Sequence, residues 1–94
     1  IDARQAAVIG LVSEITDSQR GLQERAFALA ERIAAAAPLA VQALQSLSVE
    51  TAHLSARDAQ RLTELYWGAL RDSEDRLEGR AAFAEKRTPN YRGR

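Results

Sequence analysis

Residues 73–94 read SEDRLEGRAAFAEKRTPNYRGR, and this stretch says more about the fold than any other part of the chain. Ser73 is a favourable N-cap, and the acidic pair Glu74–Asp75 follows where a helix dipole favours negative charge. The basic pair Lys86–Arg87 is placed in the final helical turn, where positive charge is favoured, and Pro89 stops the helix. The spacing therefore predicts one amphipathic helix that ends just before Thr88.

Five further elements are predicted upstream of this helix. Asp2 caps a short helix that reaches about Ala7, and Gly10 fits the position just after its end. Residues 11–16 are predicted to form a short β segment, which needs a neighbouring sheet because one strand cannot satisfy its own backbone. Apolar spacing then predicts three amphipathic helices, at about 18–36, 38–52 and 55–71.

The predicted fold is therefore mainly α: a short N-terminal helix and a β segment, followed by four amphipathic helices. Two Phe, one Trp and two Tyr make a thin aromatic core for such a layout. Association with further sequence or with other subunits is expected to supply much of the burial. The chain starts at Ile1 and lacks Met, and we interpret it as a piece of a longer polypeptide.

Composition argues against several classes of partner. Thirteen basic and thirteen acidic residues cancel, so no global attraction toward nucleic acid or anionic lipid is expected. No stretch approaches the ~18 apolar residues that a membrane helix needs, so no membrane association is expected. The absence of Cys excludes disulfides and thiolate metal sites and suits a cytoplasmic protein.

The C-terminal end is locally basic. Residues 86–94 carry Lys86, Arg87, Arg92 and Arg94 and no acidic residue. This segment is interpreted either as a solvated basic tail or as a local positive field for a phosphate-bearing ligand. The tail at 90–94 is predicted to be extended, and mobile unless it docks.

A search for catalytic groups gives little. His53, the only histidine, lies near a helix end, where a capping or surface role explains it. Asp75 and Glu78 are three residues apart on one helix face, but compensation of the helix dipole explains them without acid/base chemistry. No metal-ligand spacing or phosphate-binding loop is present. We therefore predict no catalytic residue and no metal site in these 94 residues.

Phe83 and Lys86 are the pair that best fits a ligand. Their i,i+3 spacing predicts that they share one side of the terminal helix. An aromatic ring beside an ammonium group suits a purine next to a phosphate. The structural alternative is that Phe83 is a core anchor and that Lys86 only compensates the helix dipole.

The chain resembles the enoyl-CoA hydratase/isomerase (crotonase) superfamily. The resemblance is carried mainly by Asp-x-x-Glu-Gly at 75–79, Ala-Phe-x-Glu-Lys-Arg at 82–87 and the Pro-containing tail. Gly10-Leu11-Val12 is similar to the start of a family strand, and the helical middle part is similar to the family's Ala-rich helices. Gln45 and Tyr91 depart from the commoner residues at their positions, so neither is assigned a family role.

The resemblance implies a division of the chain into the end of the crotonase-like core at 1–16 and a C-terminal helical region at 17–94. That region would close the ligand site and contribute to subunit contacts in a homotrimer or a dimer of trimers. Phe83 and Lys86 match residues that approach the adenine-phosphate end of coenzyme A in hydratases. Trp67 falls near an aromatic position that borders the acyl pocket.

The function implied for the intact protein is a lyase reaction on acyl-CoA thioesters, the hydration of a trans-2-enoyl-CoA in fatty acid metabolism. The resemblance places its catalytic groups upstream, so these 94 residues alone are expected to be inactive. It implies no cofactor other than the coenzyme A of the substrate. Two alternatives stay open: an isomerase or another enolate reaction on the same scaffold, and a non-catalytic helical interaction module.

Overall fold

The structure, a computed structural model, describes residues 1–94 and is mainly helical, with 66% of the residues in helices and no strand. Five helices follow one another along the chain, and each begins and ends within about two residues of its predicted position. They are α1 Ala3–Val8, α2 Gln19–Ala34, α3 Pro38–Glu50, α4 Ala56–Leu70 and α5 Glu74–Glu85.

The helix starts follow the predicted capping chemistry. Asp2 accepts a hydrogen bond from the backbone N–H of Gln5 at 2.8 Å, and the Gln5 side chain accepts one from the Asp2 N–H at 3.0 Å. The hydroxyl groups of Ser55 and Ser73 cap α4 and α5 by accepting hydrogen bonds from the N–H groups of residues 58 and 76, without the reciprocal bond seen at Asp2. Pro38 opens α3, as expected of a residue that cannot continue the preceding helix.

Helix α1 ends in a reversal that explains why no strand forms after it. Gly10 has φ of +75°, a conformation that glycine adopts without a Cβ penalty. Its N–H donates to Ala7 O at 3.1 Å, and the Leu11 N–H donates to Ala6 O at 2.8 Å, which is the Schellman pattern. The prediction of a β segment at 11–16 is therefore wrong: its first N–H groups turn back onto α1, and no second strand in the chain pairs with the rest.

Backbone contacts divide the chain into two units, residues 1–32 and 33–94. In the first unit, Arg25 on α2 donates two hydrogen bonds to Glu14, at 2.5 and 2.6 Å. This bidentate pair raises the pKa of Arg25 and lowers the pKa of Glu14. It ties the irregular segment that was predicted as a strand to α2.

In the second unit, α3 packs on α4, and Tyr66 on α4 donates a hydrogen bond to Glu50 on α3 at 2.7 Å. This bond raises the pKa of Tyr66, because the ionised phenol could no longer donate it. The apolar residues that are buried in the whole chain are only three alanines, Ala6, Ala43 and Ala82. The large apolar side chains of all the long helices remain at least partly exposed.

Candidate functional site

An open groove of about 590 Å³ lies between α3, α4 and α5. Alanine and leucine side chains of α3 form much of its wall, and Thr63, Leu70, Ser73, Asp75 and Gly79 also line it. Aromatic rings and two arginine side chains complete the lining. Those latter residues are Tyr66, Trp67, Arg76, Arg80, Phe83 and Tyr91. The groove thus presents apolar surface next to positive charge, a combination that suits a ligand with an apolar part and an anionic part.

Two of the three residues predicted for ligand contact line this groove. Trp67 from α4 is 65% exposed, and Phe83 from α5 is 88% exposed. Within these 94 residues Phe83 is therefore not a core anchor, which was the structural alternative for it. The groove brings together two rings that are 16 positions apart in sequence, a relation that sequence spacing did not show.

Lys86, the third predicted residue, lies just beyond the end of α5 rather than in its final turn, as does Arg87. Lys86 has φ of +54°, the one positive value at a non-glycine residue, and it is exposed. The Lys86 N–H donates to Phe83 O at 3.3 Å, and the Arg87 N–H donates to Ala82 O at 3.0 Å. The placement of this basic pair in the last helical turn was therefore wrong, because a left-handed residue ends the helix at Glu85.

The C-terminal tail docks along α5, and Asp75 is the main reason. Its side chain is 3% exposed and accepts hydrogen bonds from the N–H of Arg92 at 2.6 Å and of Gly93 at 2.9 Å. The Asp75 N–H in turn donates to Arg94 O at 3.1 Å. The Asp75 carboxylate therefore holds backbone 17 and 18 residues further on, in addition to lying in the first turn of the helix.

Glu78 holds the segment between the helix end and the tail. It accepts hydrogen bonds from both terminal nitrogens of Arg87, at 2.5 and 2.9 Å, and from the Asn90 N–H at 2.7 Å. The Arg87 guanidinium and then the Asn90 N–H lower the pKa of Glu78 to about 2, because all three bonds require the ionised carboxylate. Glu78 is thus an anion committed to structure at neutral pH.

Gly79 allows the tail to approach the middle of α5. A Cβ at this position would lie 3.1 Å from Tyr91 Oη and 3.5 Å from the Cε1 atom of the same ring. Glycine in a helix interior costs stability, so its presence usually has a packing reason. This glycine is the signal by which sequence reasoning could have found the docked tail, which it predicted only conditionally.

His53 lies in the turn after α3, exposed to solvent. No three side chains of His, Asp or Glu converge in an arrangement that could hold a metal ion. None of the five helices is by itself long and apolar enough to cross a membrane, although α2 and α3 counted as a pair reach that length and composition.

Comparison with known proteins shows to which family the chain belongs. A family model described as enoyl-CoA hydratase/isomerase matches residues 1–94. The (E)-benzylidenesuccinyl-CoA hydratase of Thauera aromatica is 42% identical over 93 residues, which is 99% of this chain and 36% of that protein. The carnitinyl-CoA dehydratase of Proteus mirabilis is 37% identical over 98 residues, which is 100% of this chain and 37% of that protein.

A solved structure shows the same likeness in three dimensions. The crystal structure of an enoyl-CoA hydratase from Bacillus anthracis superposes with a TM-score of 0.95 at 32% identity, over 100% of this chain and 36% of that one. The chain belongs to the enoyl-CoA hydratase/isomerase family, the crotonase superfamily. It spans a little over a third of the length of the curated relatives that it matches.

Proposed function

We propose that the protein containing this chain is a hydratase of acyl-CoA thioesters, and that it adds water to a trans-2-enoyl-CoA. Three facts support the reaction class: the family membership and the names of two relatives, a hydratase and a dehydratase that both act on CoA thioesters. The observation that carries the proposal for this chain is the groove, which gathers Trp67 and Phe83 beside two guanidinium groups.

In that reaction, residues 1–94 contribute to binding of the substrate and not to the making or breaking of bonds. By resemblance, two backbone N–H donors polarise the thioester carbonyl and stabilise the enolate-like transition state, and two glutamates move protons to and from water. Those groups belong to the family's core, outside residues 1–94. Asp75 and Glu78 are both engaged with the tail, so neither carboxylate is offered for that chemistry.

Within the same proposal, Trp67 borders the acyl group, and Phe83 with Lys86 meets the adenine-phosphate end of coenzyme A. Residues 17–94 would then form the ligand-closing and assembly region of a homotrimer or dimer of trimers in the cytoplasm, and residues 1–16 would end the core. The exposed apolar side chains of α2 to α5 support the assembly role, because such surfaces are covered in most proteins. Coenzyme A enters as part of the substrate, and no separate cofactor is proposed.

Isomerisation of an enoyl-CoA double bond is the second candidate, since the family model covers both activities. The family match removes the third one, a helical module that merely shares an amphipathic pattern. Incubation of the intact protein with a trans-2-enoyl-CoA and with a cis-3-enoyl-CoA separates the first two. A hydroxyacyl product from the trans-2 substrate supports hydration, and double-bond migration alone contradicts it.

The contact with the phosphate end is tested by Lys86→Ala in the intact protein. We expect KM for crotonyl-CoA to rise about two- to fivefold, the range open to an exposed ion pair, with little change for crotonyl-pantetheine. The matched control is Arg57→Ala, which removes one exposed positive charge from the first turn of α4. Equal losses for both thioesters would count against a phosphate contact.

A further inference from the structure

The turn that carries Lys86 is held by carboxylates of α5. Lys86 occupies a left-handed conformation that a lysine adopts at a cost, and such backbone strain persists only where surrounding contacts over-determine it. On its C-terminal side the chain is fixed by Arg87 and by the Asn90 N–H, and both donate to Glu78. One carboxylate therefore holds the side chain at position +1 from Lys86 and the backbone N–H at position +4.

The two adjacent basic residues of this turn, Lys86 and Arg87, differ in their side-chain contacts. Arg87 uses Nη1 and Nη2 on Glu78, and its Nε donates to Glu85 at 2.5 Å. All three nitrogens of this guanidinium are thus committed to carboxylates. Lys86 makes no ion pair and no side-chain hydrogen bond, so its ammonium group is the cation that remains available to a ligand.

We propose that Glu78 is a positioning residue for the coenzyme A ester, acting through Arg87 to hold the turn that presents Lys86 to a phosphate group. This inference rests on the proposed function and adds to it a residue that does not touch the ligand. A cation held in advance in one direction loses less conformational freedom on binding than a free one. The benefit should therefore appear in affinity for the phosphate-bearing part and not in the rate of the chemical step.

The experiment is a double-mutant cycle on Glu78→Gln and Lys86→Ala in the intact protein, with crotonyl-CoA and crotonyl-pantetheine as substrates. Alone, Glu78→Gln should raise KM for crotonyl-CoA about two- to fivefold, leaving kcat and the KM for crotonyl-pantetheine unchanged. In the double variant the loss should equal that of Lys86→Ala alone, because both substitutions remove the same contact. The control is Glu74→Gln, which removes the same charge from the same helix and leaves the Arg87 pairing intact.

If the rises in KM caused by Glu78→Gln and Lys86→Ala are additive in the double variant, the positioning role is overturned. It is also overturned if Glu78→Gln raises KM equally for the two thioesters. A wild-type protein that turns over neither thioester contradicts the proposed function itself, a result visible before any variant is compared. If crotonyl-CoA is a substrate and Lys86→Ala weakens its binding while Glu78→Gln does not, only the positioning role fails.

A second variant covers the case in which Glu78→Gln does not fold. Arg87→Lys keeps a positive charge at this position but cannot make the two parallel bonds to Glu78. It should reproduce the selective rise in KM for crotonyl-CoA. If Arg87→Lys leaves KM unchanged for both thioesters, the proposal is overturned, just as it is by additive losses in the double-mutant cycle.

Discussion

At the scale of single residues, Lys86 is placed where glycine would be expected. A helix that ends in a left-handed residue usually has glycine there, since a Cβ atom crowds the following carbonyl oxygen. Lys86 adopts this left-handed backbone conformation at an energetic cost, although its side chain is exposed and makes no ion pair. The cost is consistent with a side chain that is needed for binding rather than for folding.

Replacing Lys86 by glycine should separate stability from binding. We expect Lys86→Gly to raise the free energy of unfolding of the intact protein by up to about 1 kcal/mol, because the left-handed strain is relieved. It should also raise KM for a CoA ester as much as Lys86→Ala does. Denaturant unfolding and steady-state kinetics measure the two effects. The alanine variant is the control, since it removes the ammonium group but keeps the strain, and a destabilised glycine variant would contradict this account.

Glu78 should remain ionised far below the usual range of a carboxyl group. Its folded-state pKa of about 2 lies below the ordinary value of 4.5, so its contribution to stability is full above pH 4.5 and is lost as the pH falls toward 2. A carboxyl titration followed by NMR should find a midpoint near 2 in the intact protein. In an Arg87→Gln variant the midpoint should move up toward 4.5; a midpoint that stays near 2 would show that Arg87 is not the main cause.

At the scale of elements, the tail and α5 form one structural unit through Asp75. We expect Asp75→Ala to release the tail, because the N–H groups of Arg92 and Gly93 lose their acceptor at a cost of about 1–3 kcal/mol. Limited digestion with trypsin should then cleave after Arg87 and Arg92 faster than in the wild type. Asp72→Ala, which removes an exposed carboxylate just before the helix, should leave the digestion rate unchanged. Equal rates for the wild type and Asp75→Ala would contradict a clamp at this position.

The helices could be predicted from sequence, since their signals are local. Asp2, Pro38, Ser55 and Ser73 act within one helical turn, so their spacing was sufficient to place four helix starts. The strand at 11–16 could not be judged in the same way, because a strand depends on a partner that its own residues do not specify. The docking of residues 92 and 93 on Asp75 is likewise a long-range contact, for which the helix-interior Gly79 is only an indirect signal.

The candidate site was predictable only in part. Side-chain chemistry and resemblance selected Phe83, Lys86 and Trp67, but their roles stay predictions. The groove that joins two of them depends on how three helices pack, which amphipathic spacing does not determine. The structural role of Glu78 was not predicted from the sequence, because its partners Arg87 and Asn90 lie 9 and 12 residues away. Compensation of the helix dipole already explained a carboxylate at this position.

At the scale of the whole molecule, the dominant fact is the scarcity of buried apolar side chains. No large side chain is fully buried, whereas Phe27, Leu44, Leu65 and Phe83 are each at least 68% exposed. Burial of such side chains is the main favourable term in folding. We therefore expect these helices to depend on a further surface for much of their stability.

We expect the isolated 94 residues to unfold without cooperativity or to associate in a concentration-dependent manner. Thermal unfolding followed by circular dichroism, together with sedimentation velocity, would show either behaviour. The intact protein is the control and should unfold cooperatively. A dilute monomer of residues 1–94 with a sharp, reversible transition would argue against dependence on a further surface.

Trp67 supplies these residues with a built-in optical probe, because it is the only indole among them and it lies on the wall of the groove. Its fluorescence should shift to shorter wavelength whenever another molecule covers it and displaces water. Binding or assembly at this face can thus be followed without attaching a dye.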